Sequence, residues 1–153
     1  MYTKQEAAVM RQEFWTNMGR YLSPILSSEG EKINWINYKT GEKNVAFHMQ
    51  ADNHSASIAI ELSHKDPVIR DLYYEQLLQF KKILEQEMGE EWNWVRETTD
   101  ETGRRISRIF CEISSVNIYS REHWPQLISF FKPRLLALDA FWNQVKYGFE
   151  SLR

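Results

Sequence analysis

The residues best placed to do chemistry lie in "ADNHSASIAIELSHKD", Ala51 to Asp66. Asp52 comes first, an alternating run then carries Glu61, and His64 and Lys65 follow. Two acids and a lysine around a strand are the parts of a metal-dependent nuclease. In such an enzyme an Asp and the Glu of a Glu-x-Lys hold a divalent cation, and the Lys polarises the phosphate or its attacking water. The spacing argues against that reading. With Asp52-Asn53 as a two-residue turn, Phe47 faces Ile58, Val45 faces Ile60 and Asn44 faces Glu61. Val45, Phe47, Met49, Ile58, Ile60 and Leu62 then share one side, and Ala46, His48, Gln50, Ser57, Ala59 and Glu61 share the other. Asp52 and Glu61 fall at opposite ends of the hairpin, roughly 25 Å apart at about 3.3 Å per residue. They cannot share a metal. Asn44 stands where the nuclease needs its Asp and Ser63 where it needs its Lys, so no catalytic residue is assigned.

Two sets of residues stay as candidates. The polar side of the hairpin, with His48, Ser57 and Glu61, reads as a solvated face or as a shallow ligand or partner surface. In "GRRISRIF", Arg104, Arg105 and Arg108 are candidates for anion or nucleic-acid contact, because guanidinium groups pair with phosphates and carboxylates through two parallel hydrogen bonds. Strand alternation puts Arg104 and Arg108 on one face and Arg105 on the other. His48, His54, His64 and His123 show no ligand spacing and read as surface or capping residues, so no metal is expected. There is no glycine-rich phosphate loop, and no cofactor is implied. Cys111 is the only cysteine, which leaves no internal disulfide.

The elements that position these residues follow from periodicity. From Thr3 to about Leu22 apolar residues recur at three- and four-residue spacing, which predicts an amphipathic helix. "KINWINY", "NVAFHMQA" and "SASIAIEL" read as a three-stranded antiparallel meander. Asp66 then caps a helix that has Pro67 in its first turn and runs to about Met88. "EWNWVRET" and "RRISRIFCEI" form a second hairpin, with a further short strand expected at "VNIY". Ser120 opens a last helix whose stripe runs from Leu127 to Leu152 despite Pro133. The expected fold is α+β in the order αβββαββ(β)α, an antiparallel sheet packed against three helices in one domain spanning 1–153.

Composition agrees with a folded chain. Of 153 residues 42% are hydrophobic and 14% aromatic, six of them Trp, which separates the chain from the disordered class. The net charge of -2 gives no whole-domain attraction to nucleic acid, so such binding would need a local basic patch. The stretch after Met1 is polar, and no run approaches the ~18 apolar residues of a membrane span. A cytoplasmic location fits.

The segments "EFWTNMGRYL", "INWINYKTGEKN", "ASIAIELSHKD", "YYEQLLQFKKILEQEMGEEWNW", "SRIF" and "WPQLISFFKPRLLALDAFW", in that order, resemble the bacterial domain-of-unknown-function family numbered 4268. The resemblance runs from about Arg11 to Phe149. It implies a compact module that occurs alone or after other domains, some of them restriction-endonuclease-like, and it supplies no catalytic residues. The expected function is a non-enzymatic binding or interaction module whose partner is left unassigned, a protein and a second copy both being open, and with no membrane. The alternatives are an accessory nucleic-acid-binding module of restriction or defence systems, and a degenerate nuclease fold without activity.

Overall fold

The computed structural model describes residues 3–153; Met1 and Tyr2, at the start of the polar N-terminal stretch, lie outside the described residues. Helix α1, Lys4–Leu22, begins where the Thr3 hydroxyl accepts the Glu6 N–H, and it buries Phe14, Met18 and Leu22 at four-residue steps. Strands β1, Val45–Ala51, and β2, Ser55–Leu62, form the first hairpin. Asp66 caps α2, Pro67–Gln79, by accepting the Val68 N–H, and α3 follows at Lys81–Met88. Strands β3, Asn93–Thr99, and β4, Arg105–Ser114, make the second hairpin. A single 3-10 turn leads into α4, Trp124–Val145, which runs unbroken through Pro133 and ends in a 3-10 segment, Lys146–Leu152.

The α+β class holds, but the element list differs from expectation at four places. "KINWINY" is not a strand: Asn34 accepts the Asn37 N–H in a side-chain turn, and Trp35 is buried with its indole N–H on the Ile25 carbonyl. The expected single helix to Met88 is two, because Phe80 leaves helical geometry (φ -103, ψ 11) and its ring packs toward Phe149. "VNIY" runs beside the first hairpin's turn with two backbone bonds, Val116 to His54 and Ile118 to Asp52, without becoming a strand. Ser120 makes no side-chain cap, and α4 starts at Trp124. The result is a four-stranded antiparallel sheet in the order β1-β2-β4-β3 with four α-helices.

The helices cover one side of this sheet. Ile58, Ile60, Leu62 and Ile109 point into a core shared with Phe14, Leu77, Phe131, Trp142 and Phe149, all at or near zero exposure. Fully burying one such side chain contributes about 1.5–3 kcal/mol before entropy is counted. No described helix is long and apolar enough to cross a membrane.

Candidate functional site

The other side of the sheet carries the candidate residues. In the first hairpin Asp52 N–H bonds the Ser55 carbonyl at 3.0 Å, so the turn residues are Asn53 and His54. Asp52 also accepts the N–H groups of His54 and Ser55, at 2.9 and 2.8 Å. Partial burial raises its pKa, but those two donors and the nearby His54 outweigh it and hold the carboxyl below its ordinary value. The turn therefore sits one residue later than expected and the register moves by two: Phe47 faces Ile60, and Glu61 faces Ala46 instead of Asn44. A slip of two preserves faces, so His48, Ser57 and Glu61 share the side assigned from the sequence. Asp52 is the lock of a turn and lies at the far end of the hairpin from Glu61. Among the described residues, no three His, Cys, Asp or Glu side chains come together as metal ligands.

Pairing of β2 with β4 brings the two candidate sets together. Glu61 faces Arg108, Ala59 faces Phe110 and Ser57 faces Glu112. The Arg108 guanidinium donates to the Ser57 hydroxyl at 2.9 Å, lies 3.8 Å from the Glu61 carboxylate and sits 4.1 Å over the Phe110 ring. Its side chain is 20% exposed and that of Glu61 14%, so this cluster is largely withdrawn from solvent. Arg108 takes its acid from the neighbouring strand. Arg104 is held by Asp100 at 3.1 Å, and Arg105 is exposed and separated from both by strand alternation.

A bulge makes this face concave. Val95 faces Arg108 but Thr98 faces Ile106, so β3 holds one extra residue. Arg96 and Glu97 consequently both turn toward α2, Arg96 to Asp71 and Glu75, and Glu97 to the buried Arg70 at 3.1 Å. Such bulges bend and twist a hairpin. The β3–β4 tip reaches back across the sheet until Glu101 lies 3.7 Å from His48 on the far strand. Asp100 fixes this tip. It accepts from the Thr102 hydroxyl and from the N–H groups of Thr102 and Arg104, which bring its carboxyl down to about 2.

The groove has a volume of about 640 Å³. Val95, Phe110 and the almost fully buried Ile106 give it an apolar lining. Its walls bear five carboxylates, Asp52, Glu61, Asp100, Glu101 and Glu112, against two guanidinium groups, Arg104 and Arg108. Both guanidinium groups are already paired with acids of the groove. With His48 neutral the groove carries three more negative than positive charges.

The sequence reading missed Ile106, Phe110 and Glu112, although β4 alternation counted from Arg108 places all three on its face. It also treated His64 as a surface or capping residue. His64 is 6% exposed and stacks on Tyr73 at 4.1 Å, and neither ring nitrogen has a hydrogen-bond partner among the described residues. Burial lowers its pKa; Glu42 opposes this and Arg70 reinforces it. Glu42, two residues before Asn44, is likewise buried, bonding the Tyr73 hydroxyl at 2.8 Å and Arg153 at 3.0 Å. Both belong to the helix side of the sheet, away from the groove.

A family model described as "Domain of unknown function (DUF4268)" matches residues 10–146. No curated protein and no solved structure matches the chain.

Proposed function

The chain belongs to the DUF4268 family, and from that premise we propose that it is a binding module that acts without catalysis, its groove taking an extended, cation-bearing segment of another protein. The observation that carries this is the charge balance of the groove. Its two guanidinium groups are committed to Asp100 and Glu61, while Glu101 and Glu112 stand exposed on its walls. A field of that sign attracts lysine and arginine side chains and repels phosphate. The partly exposed Val95 and Phe110 of its lining add apolar contact area for the aliphatic stems of those side chains.

The same balance weighs against the nucleic-acid reading. Phosphate binding needs arginines free to donate, and of Arg104, Arg105 and Arg108 only Arg105 is without an acid partner among the described residues. A nuclease reading lacks its metal site because Asp52 and Glu61 are separated by the length of β1.

The test is a titration followed by amide shifts in two-dimensional NMR. Three probes of equal length are compared at about 50 mM salt: an alternating Thr-Lys peptide of about eight residues, its Thr-Glu counterpart and a mixed single-stranded DNA. The Thr-Lys peptide is expected to shift the amides of His48, Ala59, Arg108 and Phe110. Shifts there with DNA alone would overturn the proposal.

A further inference from the structure

Strand β1 is one edge of the sheet. Native sheets protect such edges with charges, prolines or bulges, because an open edge is a template for another strand. The opposite edge, β3, has a bulge together with Arg96 and Glu97. Strand β1 reads VAFHMQA, without Lys, Arg, Asp, Glu or Pro, and pairs with β2 in unbroken register.

The open groups can be named. Ser63 N–H bonds the Asn44 carbonyl, and Asp52 N–H bonds the Ser55 carbonyl, so pairs 44:63 and 52:55 are hydrogen-bonded positions of the ladder. In an antiparallel pair these alternate. Residues 46, 48 and 50 therefore bond β2, and residues 45, 47, 49 and 51 point their N–H and C=O groups outward. The outward groups of Val45 are used, its N–H by Glu42 and its carbonyl by the Thr40 hydroxyl. Those of Phe47, Met49 and Ala51 have no partner among the described residues. That leaves three donors and three acceptors, spaced symmetrically about Met49.

We infer that β1 pairs antiparallel with β1 of a second copy, with the two-fold axis at Met49. This register sets Met49 against Met49, and Phe47 against Ala51 of the second copy in both directions. Six hydrogen bonds then use every open group, with none left over. Symmetry about a single residue is what a two-fold contact requires, since the same patch must complement itself, and a foreign strand has no need of it. Charge agrees. His48 meets Gln50 of the second copy on the groove side and Asp52 meets Ala46, so no like charges oppose across the seam. The product is an eight-stranded sheet with both grooves on one side, adjoining at their β1 walls. The inference does not depend on what the groove binds.

Analytical ultracentrifugation from about 1 µM to about 1 mM tests it, together with hydrogen exchange of the Phe47, Met49 and Ala51 amides. A concentration-dependent dimer is expected, with those three amides protected only where the dimer is populated. Ala51→Pro removes an outward N–H that no group within the chain uses, and proline is tolerated at such an edge position. It is expected to weaken the dimer at least about tenfold while leaving the circular dichroism spectrum unchanged. Should Ala51→Pro disturb the fold, the exchange pattern of the unaltered chain decides alone. A chain that is monomeric throughout, or a dimer whose Phe47, Met49 and Ala51 amides exchange freely, overturns the inference. So does a monomer in which only the Thr-Lys peptide protects these amides, since that places a foreign strand on this edge.

Discussion

Replacing Arg108 by Leu is expected to cost about 3 kcal/mol of folding stability. The guanidinium makes a charged hydrogen bond to Ser57 at 2.9 Å, and bonds of that kind contribute about 1.5–3 kcal/mol. Its contact with Phe110 at 4.1 Å adds about 0.5–1 kcal/mol. The Glu61 carboxylate at 3.8 Å attracts it by roughly 4 kcal/mol at an effective dielectric of about 20. Most of that is offset by desolvation, leaving about 1 kcal/mol net. These three terms share one side chain and do not simply add, which places the total near 3 kcal/mol instead of at their sum. Leu keeps much of the apolar contact with the lining, so the loss reports the polar network. Urea unfolding of the variant, read from the shift of the midpoint at constant slope, measures it. A double-mutant cycle with Glu61→Gln isolates the ion pair, with an expected coupling of about 1 kcal/mol. A loss under about 0.5 kcal/mol, the size of an ordinary surface substitution, would refute the picture of Arg108 as the keystone of the groove.

Further expectations follow from groups outside that cluster. The His64 imidazole is buried with no hydrogen-bond partner for its nitrogens among the described residues, and burial lowers its pKa. The unfolded chain therefore takes up the proton first, and stability is lost as pH falls below about 6.5, by up to about 2 kcal/mol at pH ~5. His64→Phe removes this dependence in unfolding curves taken between those values, and an unchanged slope would count against it. Asp52→Ala is expected to cost about 1 kcal/mol through the two turn N–H groups it leaves. Because its folded pKa is depressed, that contribution is present above about pH 4 and vanishes as pH falls through the folded value, so wild type and variant should converge in acid. Asp139 is 2% exposed and gathers Ser28 N–H, the Tyr38 hydroxyl and Asn143, thereby fastening the long 23–44 segment to α4. Asp139→Ala should cost about 3 kcal/mol and speed amide exchange across that segment; retained protection there would contradict the anchoring role.

Much of the hairpin was legible because period-two alternation assigns faces without knowledge of the exact turn. The turn was misplaced by one residue, yet Glu61, Ser57 and His48 still fell on the right side, since the resulting register slip was even. The Asp66 cap and Pro67 start of α2 were legible for a local reason, a carboxylate two residues before the backbone N–H that donates to it. What the sequence did not reveal is non-local. That β4 lies against β2, bringing Arg108 to Glu61 across 47 positions, depends on long-range pairing that no local pattern encodes. The concavity of the groove depends on a bulge whose only local trace is the adjacent polar pair Arg96-Glu97, both turned to one helix. "KINWINY" shows the reverse failure: its alternation is real, but Asn34 and Trp35 find better partners in a side-chain turn and in the Ile25 carbonyl. The burial of Glu42, His64 and Asp139 was not legible because burial of a polar residue follows from tertiary packing alone.

The central claim is that the open sheet face is a groove selective for cationic segments. Calorimetric titration of the alternating Thr-Lys peptide into the unaltered chain and into a Glu101→Lys, Glu112→Lys variant tests it most directly. Both residues are exposed, so the fold should be indifferent to the change. The account predicts binding to the unaltered chain and a loss of at least about tenfold in the variant. Equal affinity for both, or tighter binding of the Thr-Glu peptide to the unaltered chain, would contradict it.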